Sequence, residues 1–288
     1  MNSAEIKDTL FREAVEAIDA GDIDALQNLV VTYPSLVTER LVTNEPGYFQ
    51  DPYLLWFVAD NPIRIAKLPS NIVDIARVLI NAVKREAPET APEQLTYTLG
   101  LVATGRIPRE CGVQIELMDL LIDAGAQPGG GLGALAHGNV EAASHLIKRG
   151  GKLTLPVAIC LKRLGDIDRL LPLANPNERL TALTAAAFYG MADMIALLLA
   201  NGANPNGYPE NGEGFHAHAT PLHQAVCSGS LNSVKLLVDA GASLAATDKI
   251  FDGTPLGWAT YMQTEEGHDE EAKRKFALIE EYLREKEV

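Results

Sequence analysis

The chain has 288 residues, 47% apolar and 22% charged, which is a globular composition with ample material for a core and excludes a disordered chain. Its 38 acidic residues against 24 basic ones leave a formal charge of −14. No Lys/Arg cluster interleaves with aromatics, which excludes nucleic acid as a partner, because phosphate binding rests on cationic neutralisation.

Taken in order, the chain repeats one pattern eight times: apolar residues at offsets +2, +5, +8 and +9 from an anchor. Gly21 is followed by Ile23, Leu26, Leu29 and Val30; Asn71 by Val73, Ala76, Leu79 and Ile80; Val113 by Ile115, Met118, Leu121 and Ile122. Gly138 is followed by Val140, Ala143, Leu146 and Ile147, and Gly165 by Ile167, Leu170, Leu173 and Ala174. Gly190 leads Ala192, Ile195, Leu198 and Leu199; Gly229 leads Leu231, Val234, Leu237 and Val238; Arg274 leads Phe276, Ile279, Tyr282 and Leu283. Offsets of three and four share one helix face, so each copy predicts a short amphipathic helix with one buried stripe. Self-similarity at this period predicts a solenoid, in which each unit buries its stripe against its neighbours. A single domain over residues 1–288 is expected, with polar caps at about 1–20 and 269–288. Insertions fall at 40–52, 67–70, 106–112, 207–219 and 263–271.

The clearest copy reads Thr220-Pro221-Leu222-His223, continues to Gly229, runs through a second helix to Asp239 and ends Ala240-Gly241-Ala242. Thr220 can cap a helix whose first position suits Pro221, while Gly229 and Gly241 suit the left-handed residue that ends a helix. This resembles the ankyrin repeat, whose signature is T-P-L-H, two antiparallel helices and a G-A turn. Asp252-Gly253-Thr254-Pro255-Leu256 is similar, with Gly257 in the histidine position, and Asn201-Gly202-Ala203 and Asp123-Ala124-Gly125-Ala126 resemble the exit turn. The resemblance implies a mainly all-α solenoid of about eight repeats, with short β-hairpins near 203–220 and 242–254. It also implies a non-catalytic protein-binding module. Its partner surface is the concave face and the adjoining loops, where Phe188, Tyr189, Tyr208, Phe215, His216, His218, Phe251, Tyr261 and Met262 are the candidate contacts.

Chemistry is sparse. Gly131-Leu132-Gly133-Ala134-Leu135-Ala136 matches a dinucleotide fingerprint but follows a helix rather than a strand, so no cofactor is expected. His216 and His218 would share one face of an extended segment, with His223 as a third metal ligand; a metal-dependent enzyme or metal-binding regulator is the alternative function. Cys227 and His223 are four apart on one helix, without an orienting third group. Cys111, Cys160 and Cys227 are odd in number and far apart, which predicts buried fillers in a reducing compartment. Asn2-Ser3-Ala4-Glu5-Ile6-Lys7-Asp8 contains no unbroken apolar run. A cytoplasmic monomer without a membrane partner is expected.

Overall fold

The computed structural model describes residues 5–43, 46–209 and 214–287. The chain divides into two compact units, Met1–Lys152 and Leu153–Val288.

The second unit holds α10 (Leu155–Cys160), α11 (Leu164–Leu170), α12 (Pro176–Phe188), α13 (Ala192–Ala200), α14 (Pro221–Cys227), α15 (Leu231–Asp239), α16 (Pro255–Met262) and α17 (Glu270–Glu287). These follow α1 to α9 of the first unit, described below. The even-numbered helices α10, α12, α14 and α16 pack in succession, and α11, α13, α15 and α17 each pack behind their own partner. Helix starts are chemically marked: Asn175 Oδ1 accepts the Glu178 N–H at 2.9 Å and Thr254 Oγ1 accepts that of Gly257 at 3.1 Å, each with proline at the next position. Between the layers lie Leu183, Ile195, Leu198, Leu222, Val226, Val234, Leu237 and Ile279, all fully buried.

Turns inside the pairs share one hydrogen-bond signature. At Gly190 the N–H donates to the Ala187 carbonyl and that of Met191 to Ala186, at 3.0 and 2.9 Å. The glycine is needed twice over, since its φ is +62° and an added Cβ would stand 3.0 Å from the Ser230 Cβ. The same signature corrects two anchors. Lys162, at φ +51°, donates to Ile159 while Arg163 donates to Ala158, and α11 begins two residues on. The true set is therefore Leu164, Ile167, Leu170 and Leu171; Gly165 lies inside the helix and Leu173 is 78% exposed. Pro172 and a 3₁₀ turn at Leu171–Leu173 end the helix there. In the first unit Gly112, at φ +72°, replaces Val113 as the turn residue.

The first unit contains α1 (Thr9–Ala20), α2 (Ile23–Thr32), α3 (Ser35–Thr38), α4 (Ile72–Glu86) and α5 (Ala91–Thr104), then α6 (Arg106–Glu110), α7 (Gln114–Ala124), α8 (Leu132–Ala136) and α9 (Val140–Lys148). A 3₁₀ helix at Leu54–Ala59 touches α1, α3, α4 and α5, and all six of its residues are buried. Beside it the Arg64 guanidinium, almost wholly buried, pairs with Asp19 and lies 3.7 Å from the buried Asp60 carboxylate. Trp56 stacks on Tyr97 with centroids 4.0 Å apart. Gly131 occurs at φ +78° before the five-residue α8, where a Cβ would lie 3.2 Å from the Ala143 Cα. Close packing against α9 accounts for that glycine.

No strand occurs among the described residues, so the expected hairpins at 203–220 and 242–254 are turns instead; 210–213 lie outside the described residues. Among the described residues one backbone bond joins the two segments, from Lys249 N–H to the His218 carbonyl at 2.8 Å. No helix among the described residues is long and apolar enough to cross a membrane.

The buried stripes carry a stability prediction. Leu198→Ala or Leu237→Ala should cost about 2–5 kcal/mol, the range for a fully buried leucine, whereas Leu173→Ala should stay within about 0.5 kcal/mol of the parent. Denaturant unfolding of the three variants checks this, and a costly Leu173→Ala would restore Gly165 as the anchor.

Candidate functional site

The inner helices of the second unit end beside two irregular segments, residues 214–220 before α14 and 242–254 before α16. Phe188, at the end of α12, packs edge-on against Tyr189 (5.3 Å) and Phe215 (5.2 Å). Phe215 is only 3% exposed, so it anchors its own segment and offers little area to a partner. Phe215 and His216 both have positive φ, +54° and +43°, a costly geometry for non-glycine residues. The buried Gln224 amide of α14 holds them there by donating to the Phe215 carbonyl and, at 3.1 Å, to that of His216. His216 is thereby exposed, with its ring 6.1 Å from Phe188 and 5.6 Å from His218. Although an edge of it meets solvent, partial enclosure of the His216 ring, and then His218, push its pKa down.

Asp248 organises the second segment. Its Oδ1 accepts the N–H groups of Ile250 (2.9 Å) and Phe251 (2.7 Å), and its Oδ2 those of Gly253 (3.0 Å) and Trp258 Nε1 (2.9 Å). Burial alone would raise its pKa, but these bonds, from Phe251, Trp258, Ile250 and Gly253, outweigh it and hold the carboxyl at about 2. The result is a tight turn that thrusts Ile250 and Phe251 into solvent, 62% and 75% exposed. This turn is what replaces the hairpin: four donors converging on one carboxylate leave few amides for a ladder. Trp258, half-buried, supports it from α16, with His223 (5.0 Å), His216 (5.9 Å) and His218 (6.0 Å) around its ring.

His223 is fully buried and structural. Its Nδ1 accepts from the Thr220 N–H at 3.3 Å, and its Nε2–H donates to the Gly253 carbonyl at 2.9 Å, tying the start of α14 to the next segment. Neither nitrogen is left for a metal, so His216, His218 and His223 do not form a ligand set; among the described residues no group of three His, Cys, Asp or Glu does. Burial raises the Cys227 thiol pKa, as does the Glu265 charge, which is the reverse of what a nucleophile needs. Cys160 is buried, with its pKa pushed up to about 12 by burial, while Cys111 is exposed, against expectation, at the solvent-facing end of α6.

The remaining candidates separate. Tyr208 is half-buried, with its hydroxyl donating to the Thr247 carbonyl at 2.6 Å and the Lys249 ammonium 4.2 Å from its ring centre. Burial, and then Cys160, push the half-buried Tyr189 up to about 12. Tyr261 is 64% exposed at the end of α16, where it makes no ring contact with this cluster among the described residues. Met262 is half-buried, its carbonyl accepting from His268 Nδ1 at 2.8 Å. Sequence reasoning missed Asp248 and Ile250, although an Asp four residues before Asp252-Gly253 is itself a turn signal. The first unit has its own cleft of about 420 Å³, bordered by Ile6, Phe11, Leu36, Arg40 and Val42. There Arg40 is already engaged by Glu93 and the Asp51 carbonyl.

This paired-helix architecture, with its Thr-Pro starts and Gly-Ala exits, agrees with a match of residues 132–248 to the family model for ankyrin repeats, in three copies. Residues 132–248 are thus similar to ankyrin repeats. No curated protein matches the chain. The matched span runs from α8 to Asp248, so it includes His223 and reaches the carboxylate that shapes the exposed turn, while Gly253 lies beyond it.

The His223 tie makes a prediction. Replacing His223 by alanine orphans the Thr220 N–H, which should cost about 1–3 kcal/mol, and leaves the Gly253 carbonyl with the Asp248 N–H at 2.9 Å as its remaining donor. Burial, the largest influence on His223, pushes its pKa below the ordinary 6.5 despite the Gly253 bond and the Asp248 charge. The unfolded chain therefore takes up this proton first, and the group's contribution is complete above about pH 6.5 and declines as pH falls. His223→Gln should accordingly lose less melting temperature than the parent between about pH 7.5 and 5.5. An identical loss in both proteins would show that His223 is not buried neutral.

Proposed function

We propose that this chain is an ankyrin-repeat protein, a non-catalytic binding module that docks a protein partner on the inner face of its second unit. The observation that carries this reading is the Ile250–Phe251 tip, more than half exposed on both residues yet held rigidly by the Asp248 carboxylate. An ordered exposed aromatic costs little entropy to bind, and such residues anchor interfaces. Tyr261, with the half-buried Tyr189 and Met262 at ends of inner helices, supplies further contact area. His216 and Tyr208 add polar rims, while Phe215 and His218 serve the face from behind. The acidic balance of the chain disfavours a nucleic-acid partner. Three unpaired cysteines are in keeping with a reducing, cytoplasmic setting.

Phe251→Ala combined with Tyr261→Ala should leave the melting temperature nearly unchanged, because both side chains are exposed. Loss of each anchor should cost about 2 kcal/mol of binding, roughly thirtyfold, in capture of a partner from a lysate of the source organism. Equal losses of binding and stability would make these residues structural, and undiminished capture would move the site off this face.

A further inference from the structure

We propose that His218 and Asp248 form a proton-operated latch, which is open when His218 is neutral and closes into a charged hydrogen bond when it is protonated, resetting the Ile250–Phe251 tip. His218 Nε2 is shut off from solvent and has no hydrogen-bond partner among the described residues, an expensive state for a buried polar atom. It lies 4.0 Å from Asp248 Oδ1, within ion-pair range but too far for a hydrogen bond. The oxygen it faces is the same one that accepts the Ile250 and Phe251 N–H groups. An imidazolium drawn onto Oδ1 becomes its third donor and competes with both tip amides. The Phe251 ring also rests edge-on against the His218 ring, with centroids 6.0 Å apart, so the tip and the imidazole are in direct contact.

The other groups around His218 favour this assignment. On its own segment stands His216, whose pKa is pushed down by partial burial and then by His218. From α14, His223 has both nitrogens engaged. From the following segment come Asp248, whose carboxyl stays ionised down to about pH 2, and Lys249, whose backbone N–H binds the His218 carbonyl while its ammonium sits over Tyr208. Trp258 of α16 presents only an uncharged ring to His218 and donates to the other Asp248 oxygen. Among the described residues, Asp248 is thus the anion within ion-pair reach of His218. The latch stands on this geometry whether or not the tip binds protein.

Amide NMR spectra and tryptophan fluorescence of the full chain between about pH 7.5 and 5 test the latch, since that range spans histidine protonation. The Ile250 and Phe251 amides and the Trp258 indole N–H should shift together in one step. The step should vanish in His218→Gln and persist in His216→Gln, with Trp258→Phe separating the Trp258 emission from that of Trp56. Asp248→Asn should also abolish it, and His218→Gln keeps the test decisive if that variant fails to fold. Tip amides that do not move in the parent, or that move equally in His218→Gln, would overturn the latch. A step lost in His216→Gln and kept in His218→Gln would overturn it as well, by assigning the titration to His216.

Discussion

None of the inner helices of the second unit except α12 is long enough to stand in water alone. Helix α14 has seven residues and α10 six, against roughly 12–15 needed for an isolated helix of even good sequence. Each exists because its stripe is buried against neighbouring helices. Leu222, Ala225 and Val226 of α14 are fully buried in a layer that packs on α12 and on α16. Close approach is set by small side chains: Ala182, Ala185, Ala186 and Ala187 of α12 are all at zero exposure. The stabilisation is therefore local to neighbouring repeats, and an irregular repeat length is tolerated wherever the stripe still meets its neighbour.

Packing of this kind leaves backbone carbonyls between repeats that no helix satisfies, and buried glutamines take them up. Gln224 holds the strained carbonyls of Phe215 and His216, Gln114 Nε2 donates to the Val102 carbonyl at 2.9 Å, and Gln94 Nε2 reaches the Val37 carbonyl at 2.9 Å. The first unit also buries an ion cluster. Arg64 is enclosed between Asp19 and Asp60 and against the Phe57 ring at 5.1 Å, where Asp60 Oδ1 also accepts the Arg64 N–H at 2.8 Å. A buried arginine flanked by two carboxylates costs desolvation, and its geometric demands define one arrangement of the 3₁₀ helix and its neighbours.

The face of the second unit proposed to bind a partner is built from rigidity and not from a loose loop. Asp248 fixes the turn, Trp258 and His223 fix Asp248 and Gly253, and Gln224 fixes the segment carrying His216 and His218. Side chains left outside this network, Ile250, Phe251 and Tyr261, are the ones with free apolar area. Order in the support and exposure at the tip are what separate a binding surface from an unpaired hydrophobic residue.

The amino-acid sequence by itself determined the helical periodicity, the Thr-Pro starts and the Gly-Ala exits, because each depends on backbone preferences within a few residues: Thr254, Pro255, Gly190 and Gly241 act where they stand. It did not determine the phase around Lys162, since a slip of three residues keeps the same helix face and Gly165 looks like a better turn residue than lysine. The 3₁₀ helix at Leu54–Ala59 was equally hidden, because a continuous apolar run has no period from which to read a helix type. At the site, Phe215 and Phe251 read alike in sequence as loop aromatics. Only the tertiary structure decided that Gln224 draws Phe215 inward and Asp248 pushes Phe251 out, because each outcome depends on a hydrogen-bonding partner elsewhere in the chain or on the turn that partner closes.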